Sequence, residues 1–439
     1  MKILLIYPPF CSPSSMPHSI SYIKSYLSQS FDIKIKCLDL NAKFNKSRFK
    51  EIYSQKYSSE VLTEFDKISR PVYAHNNKLV IQKKSPELFE EMLTLIKKES
   101  PDLVAFSLVY NSQCFYTQAL IEELKRLNIP TLIGGPAVNH NIYNLSTFLV
   151  DEHQFAEYLE KNFNLTRTIP KEVIPDFSDY NPNDYLTKEI VIPLRTSHSC
   201  YYKQCSFCTH HQSQNYREVP LELIKKTIIK SGYKNVSFFD DMISKKRLLE
   251  LAEILKPLKV KWWCQLRPSK ELLGSFKILY DSGLRSISWG VESGNQRILD
   301  LMCKGTNVED ISKVLKESHE VKIKNLVFII IGFPTETKEE LMDSIHFVEK
   351  NFNYIDLIST SRFGLQRGSK VFLNPKEYGI TEIKEKSRTI LDDQITYKVK
   401  SGMTPEEVKK YHHRYLRSFV KVNKIPKIYN YFKEQTILL

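Results

Sequence analysis

Short apolar runs alternate with amphipathic stretches along most of the 439-residue chain. Residues 2–7 (KILLIY) read as a buried strand, 19–29 as a short helix and 33–38 as a second strand ending at Asp39, so the chain opens on a β-α-β unit. Residues 41–84 are polar and aromatic-rich without a clean period, which predicts an insertion of short helices and irregular chain. A helix over 86–99, a strand over 103–108, a helix over 113–127 and a strand over 131–133 follow. Strands alternating with helices predict a doubly wound, Rossmann-like parallel sheet over 1–166, with ligands outside the carboxyl ends of its strands. The Pro-, Asp- and Asn-rich stretch beginning at 167 predicts a surface linker over 167–189. Strand patterns then recur at 190–194, 236–239, 261–266, 286–290, 326–331 and 356–359, with helical patterns at 221–231, 245–255, 270–282, 308–320 and 338–351. Six βα units predict a partial (β/α)6, TIM-like barrel over 190–365, with its chemistry at the carboxyl ends of the strands. Residues 366–439 predict a mostly helical, basic extension.

Composition narrows the class. Hydrophobic residues at 42% and aromatics at 12% are globular values, and no apolar run approaches the ~20 residues of a membrane span. The opening MKILLIYPPF is too short and too β-rich for a secretory signal. The expected compartment is therefore the reducing cytoplasm, where the eight cysteines are thiols or ligands rather than bridges. The net charge of +14 is spread as Lys-Lys pairs over candidate helix surfaces, the usual pattern of a solvated face. Between 398 and 433 ten Lys or Arg stand against Glu406 and Glu407, and there an anionic partner such as a nucleic acid is conceivable from charge alone.

The densest chemistry lies in IPLRTSHSCYYKQCSFCTHHQ, residues 192–212, where Cys200, Cys205 and Cys208 fall within nine positions after a strand. Three soft ligands on one loop suit an iron-sulfur cluster or zinc. A structural zinc site takes four protein ligands, which His210 or His211 could complete, whereas a cubane held by three cysteines keeps one iron open. The remaining polar residues obey the barrel rule: Asp240 and Asp241 follow the second strand, Arg267 the third, Glu292 the fourth and Glu336 the fifth. In the first domain Gly134 and Gly135 are the only glycines before residue 232. Directly after a strand, they predict either a close approach to the backbone or a tight turn before Pro136.

Taken together, the cysteine loop with Phe207 before its last cysteine, Phe238-Phe239-Asp240-Asp241, Trp289-Gly290-Val291-Glu292-Ser293-Gly294, Met302-Cys303-Lys304-Gly305 and Ile331-Gly332-Phe333-Pro334-Thr335-Glu336-Thr337 resemble the radical S-adenosylmethionine (SAM) superfamily over roughly 190–365. The loop departs from the usual pattern in having four residues, not three, between its first two cysteines. The resemblance implies that Cys200, Cys205 and Cys208 hold a [4Fe-4S] cluster whose open iron takes SAM, and that an electron from a donor such as flavodoxin or ferredoxin releases a 5′-deoxyadenosyl radical. It further implies that Glu292, with Ser293, meets the ribose, Arg267 the methionine carboxylate, and Asp240 and Asp241 the ammonium, while Phe207, Gly332 and Pro334 shape the wall.

Ser107 and Gly134-Gly135 resemble the later half of the cobalamin pattern of B12-binding domains. No Asp-x-His-x-x-Gly is present, so no axial histidine carries over. The whole chain thus resembles the branch in which a B12-binding-type sheet precedes the radical domain. The implied activity is cobalamin-dependent methylation of an unactivated carbon on a peptide or other natural-product precursor. The alternatives are radical cyclisation, rearrangement or oxidation without methyl transfer, and a non-catalytic cluster-bearing or zinc-loop nucleic-acid-binding protein.

Overall fold

The computed structural model describes residues 1–212 and 215–439, apart from the side chains of 392 and 415–422. The chain divides into two units. The first comprises Met1–Pro193, Lys226–Tyr233 and Ser387–Asp393; the second comprises Leu194–Lys225, Lys234–Lys386 and Gln394–Leu439.

In the first unit β1 (Lys2–Tyr7), β2 (Lys34–Asp39), β3 (Leu103–Ser107), β4 (Thr131–Gly134) and β5 (Thr147–Phe148) form one parallel sheet in the order β2-β1-β3-β4-β5. Chain order reverses between β1 and β3, the switch point outside which ligands of such sheets bind. The continuous apolar run of β1 is explained by burial on both faces, since Ile3 to Ile6 are at most 1% exposed.

Two expectations change here, and one helix is new. Residues 41–84 do hold short helices, Leu40–Arg48 and Lys50–Tyr53, but a 23-residue helix, Ser59–Ile81, capped by Ser58, dominates them and buries Val61, Leu62, Phe65 and Val80. Its internal Pro71 hides it from sequence, because proline removes one intrahelical donor. A further helix, Glu152–Phe163, is capped by Asp151, which accepts from the backbones of His153 and Gln154. The stretch 167–189, expected as a surface linker, carries buried side chains. Phe177, Tyr180, Asp184, Tyr185 and Leu186 are buried, Lys24 pairs with Asp176 and Asp179, and Lys43 and Lys46 pair with Asp184. Tyr185 donates to Asp39 at 2.9 Å.

In the second sheet β6 (Val191–Leu194), β9 (Asn235–Phe238), β10 (Lys261–Leu266), β11 (Leu284–Glu292), β12 (Lys324–Ile331) and β13 (Leu357–Arg362) stand in consecutive parallel order, with a short antiparallel pair, β7 (Ser197–His198) and β8 (Arg217–Glu218), beside the first. The order matches the six predicted βα units. Capping explains the sharp helix starts: Ser244, Asn307 and Thr337 accept the first free backbone donors of Lys245–Leu255, Val308–Glu320 and Lys338–Lys350.

Alternation along the strands sorts the two faces of the sheet. Trp262 donates to Ser282 and Trp289 meets Phe276, so both point to the flanking helices. Trp263, Ser286 and Ser288 point the other way, toward the barrel interior, with Trp263 Nε1 donating to Ser288 Oγ at 3.1 Å. The expected helical extension also contains a hairpin, β14 (Ile380–Arg388) and β15 (Leu391–Val399), before the helix Pro405–Val422. Among the described residues no helix is long and apolar enough to cross a membrane.

Asp39 offers a test of the first unit. Its carboxylate accepts from Ala42 N and Tyr185 Oη, and burial pushes its pKa from 3.8 up to about 7 against those hydrogen bonds. Below pH 4 both the folded and unfolded states are protonated there, so nothing is lost. As pH rises the unfolded chain ionises first, and the folded state loses stability progressively until about pH 7. Hydrogen exchange of residues 2–7 should therefore speed up from pH 4.5 to 7 once corrected for intrinsic rates. Asp39→Asn should flatten that dependence.

Candidate active site

The cysteine loop leaves β6 through Arg195-Thr196-Ser197, and this exit is fixed by one buried carboxylate. Asp240 accepts from Thr196 N, Thr196 Oγ1, Ser197 N and Ser197 Oγ at 2.5–3.1 Å. Burial raises the pKa of this group while those hydrogen bonds oppose the rise. Asp240 thus holds the start of the loop. Its neighbour Asp241, more exposed, takes His210 Nδ1 at 2.8 Å, which raises the imidazole pKa.

Further along, the loop is pinned to the turn after the helix Gln296–Leu301. Ser206 N donates to Met302 O, Ser206 Oγ to Leu301 O and Tyr202 Oη to Cys303 O, each at 2.9 Å. Cys200, Cys205 and Cys208 are free, half-buried thiols. Burial raises Cys205, with the Lys304 charge working against it, and pushes Cys208 up to about 11, with the His210 backbone N–H opposing. Of the other thiols, Cys37, Cys114 and Cys264 are buried, and all eight are unbridged.

Beneath the loop lies a charged group of which sequence reasoning found only part. Glu292 ends β11 at a register shift, with φ +70°, a conformation that costs a non-glycine residue about 1–3 kcal/mol and gathers at functional sites. Its Oε1 accepts from Lys304 Nζ at 2.8 Å, the two side chains being 11% and 6% exposed. Burial presses the Lys304 amine down, and the nearby carboxylate outweighs it, leaving the amine above its ordinary value. Gly290 makes room for the pair: a Cβ there would lie 2.6 Å from Glu292 Oε1 and 2.8 Å from Lys304 Nζ. The Met-Cys-Lys-Gly motif carried the signal for Lys304, but sequence alone gave it no partner.

Arg267 is buried, donates through Nη1 to Lys304 O at 3.0 Å and stands 3.8 Å over the Tyr202 ring. Most of its fork is therefore spent on the protein itself. Its Nε, together with Ser199 Oγ and Thr306 Oγ1, is buried without a hydrogen-bond partner, and such atoms are the ones a polar ligand satisfies.

Ser293 is fully buried and shares a hydrogen bond with Ser344. Gly332, with φ +81°, donates its N–H to Glu336 Oε2 at 2.5 Å and backs onto Val408, and Pro334 is buried beside it. Burial pushes Glu336 up to about 7, with the Gly332 N–H opposing. Phe207 packs on the cluster of Met302, Phe333 and Leu365, where the hairpin residues Ile383, Ile395 and Tyr397 also lie.

The donor set fits a three-thiolate cluster with an open position. Among the described residues no three His, Cys, Asp or Glu side chains converge on a single ion, and a cubane asks for no such convergence because each thiolate takes its own iron. Three of the ten basic residues of 398–433 are engaged within the protein. Lys398 pairs with Glu382, Lys424 donates to Asn353 O, and Lys433 is turned inward; Arg417 and Lys421 lie outside the described side chains.

In the first unit, Ser107 Oγ and Ser19 Oγ share a hydrogen bond of 2.8 Å beside the switch point. Gly135, at φ +108°, is required by the chain itself, since a Cβ would come within 2.3 Å of Leu108 O; Gly134 is less tight, with Leu149 O at 3.1 Å. The tight-turn explanation therefore suffices for Gly135 without any ligand.

Removing one partner of the buried Lys304–Glu292 pair should be costly. Lys304→Met is expected to lower unfolding stability by roughly 3–5 kcal/mol, and the double variant Lys304→Met/Glu292→Gln by less than the sum of the singles. All three tryptophans, Trp262, Trp263 and Trp289, lie in this unit, so urea unfolding followed by tryptophan emission reads it directly.

Residues 194–348 match the radical SAM superfamily. An uncharacterized methyltransferase of Pyrococcus horikoshii is 21% identical over 372 residues, 80% of this chain and 78% of that protein. Among solved structures, the radical SAM methyltransferase TsrM from Kitasatospora setae, with cobalamin and a [4Fe-4S] cluster bound, superposes with a TM-score of 0.64 at 12% identity, covering 96% of this chain and 88% of that one. The apo form of the cobalamin-dependent SAM radical enzyme OxsB gives a TM-score of 0.63 at 13% identity over 99% and 71%. At these identities the structural likeness establishes the fold. The sequence match, confined to residues 194–348 and including the cysteine loop, shows that this part of the chain is similar to the radical SAM superfamily.

Proposed function

We propose that the protein is a cobalamin-dependent methyltransferase acting on an unactivated carbon of a peptide or other natural-product precursor. The observation that carries this reading is coextension: 96% of the chain superposes, with a TM-score of 0.64, on a methyltransferase with cobalamin and a [4Fe-4S] cluster bound. The methyltransferase relative from Pyrococcus horikoshii supports it. When bound, the cluster and SAM supply a 5′-deoxyadenosyl radical under an external reductant, and cobalamin supplies a methyl group.

The chain's own residues bind, orient and shield. Cys200, Cys205 and Cys208 would hold the cluster. Glu292, one oxygen fixed by Lys304, offers its carboxylate to the ribose hydroxyls, with Ser293 bracing the turn behind it. Arg267 Nε remains to meet a carboxylate, Asp241 to meet the ammonium, and Asp240 keeps the loop in place. Phe207, Gly332 and Pro334 wall the adenine side. In the first unit Ser107, Gly134 and Gly135 border the cobalamin position, where exposed Tyr110, Tyr143 and Val150 follow β3, β4 and β5 and offer apolar faces to a flat macrocycle.

The self-sufficient explanation of Gly135 favours one second reading: the same radical chemistry without methyl transfer, the first unit serving to dock substrate.

Anaerobically reconstituted protein is expected to bind iron and sulfide and, when reduced, to cleave SAM slowly to 5′-deoxyadenosine; Cys205→Ala should lose nearly all the iron. Supplied with hydroxocobalamin, wild type should retain cobalt through gel filtration. Ser107→Leu, which crowds the switch point without touching the Leu108 backbone contact of Gly135, should release cobalt at unchanged iron content. Wild-type protein that retains no cobalt would transfer the assignment to the second reading, and the absence of 5′-deoxyadenosine under a competent reductant would defeat both.

A further inference from the structure

Lys433 takes no part in the site described so far. It begins the 3-10 turn Lys433–Leu438, which lies against β10 and β11 on the inner face of the second sheet, where Thr436 Oγ1 donates to Ser286 Oγ at 2.8 Å. Its Nζ stands 5.5 Å from the ring centroid of Trp263 on β10 and 5.5 Å from that of Phe328 on β12. The ammonium is thus suspended between two aromatic faces inside the barrel. Ring faces attract a cation, yet an ammonium carries three N–H donors that want lone pairs. Among the described residues no hydrogen bond or ion pair reaches Nζ.

Burial lowers the pKa of this amine, with the adjacent Glu434 carboxylate opposing. Around it Gln265, Phe328, Ile330 and Ser359, at inward positions of β10, β12 and β13, are only half-buried, so the interior stays open beside the amine. A half-buried cation with no hydrogen-bonded anionic partner among the described residues is one that a ligand anion can meet.

We propose that Lys433, walled by Trp263 and Phe328, is the interior site that receives a carboxylate or phosphate group of the substrate. The proposal rests on the radical SAM reading, which makes the barrel interior the reaction chamber. Its test requires neither cluster nor turnover, so its failure leaves that reading standing.

The full chain is treated with trace acetic anhydride and acylation is read by peptide mass spectrometry, with benzoate or inorganic phosphate as the competing anion. Lys246, whose side chain is 88% exposed, is the internal control. One of the two anions should slow acylation of Lys433 several-fold and leave Lys246 unchanged: benzoate alone marks a carboxylate site, phosphate alone a phosphate site. The same anion should shift the tryptophan emission of wild type and of Lys433→Arg, and leave that of Lys433→Met unmoved. Acylation of Lys433 blind to both anions overturns the proposal, as does a Lys433→Met chain that keeps the emission response. Complete resistance of Lys433 to acylation also overturns it, because the amine would then be sealed. Should Lys433→Met not fold, protection in wild type decides alone.

Discussion

The second unit depends on the burial of Asp240 against the first turn of the cysteine loop. A parallel strand that ends in a loop leaves backbone donors without ladder partners, and within a protein interior each must be satisfied. Asp240, 4% exposed, collects those of Thr196 and Ser197 together with their hydroxyls. The loop consequently leaves the sheet in one direction only, and the three thiols follow from a fixed origin. Tyr202 and Ser206 hold its far side to the Leu301–Cys303 carbonyls. A flexible loop would have to lose conformational freedom to hold a cluster; a loop anchored at both ends has already done so.

The same economy runs through the other strand ends. Charged residues there order the protein with part of each side chain. Arg267 gives Nη1 to the Lys304 carbonyl, Glu292 gives one oxygen to Lys304, and Glu336 gives one to Gly332. Five of the thirteen described positive-φ, non-glycine residues, Ser199, Lys203, Glu292, Cys303 and Thr335, lie in these loops. Strain of that kind persists only where the surroundings over-determine it.

Such contacts bear on what could be read in the sequence. The six strands were legible because each is buried on at least one face, and the helices Lys245–Leu255, Val308–Glu320 and Lys338–Lys350 because each starts at a capping residue, so periodicity and punctuation agree there. The three cysteines stood out by their spacing, and the structure sets them on one loop held at Thr196-Ser197 and at Ser206. Lys304 was visible as part of a motif but not as the partner of Glu292, since an ion pair separated by a turn of twelve residues leaves no periodic mark. The helix Ser59–Ile81 was hidden by Pro71, and the 167–189 strap by a turn-like composition whose aromatic and acidic residues are in fact its points of attachment. Gly135 shows a different limit: glycine reports that space is short, not whether protein or ligand fills it.

The hydrogen bond from Thr436 to Ser286 spans 150 residues, and it carries a consequence for synthesis on the ribosome. At about 5–20 residues per second, β11 emerges roughly 10–30 s before the segment that covers its inner face. Throughout that interval Trp263 and the inward side of β10 and β11 face water or a chaperone. The nascent barrel is therefore an open trough whose lining closes last.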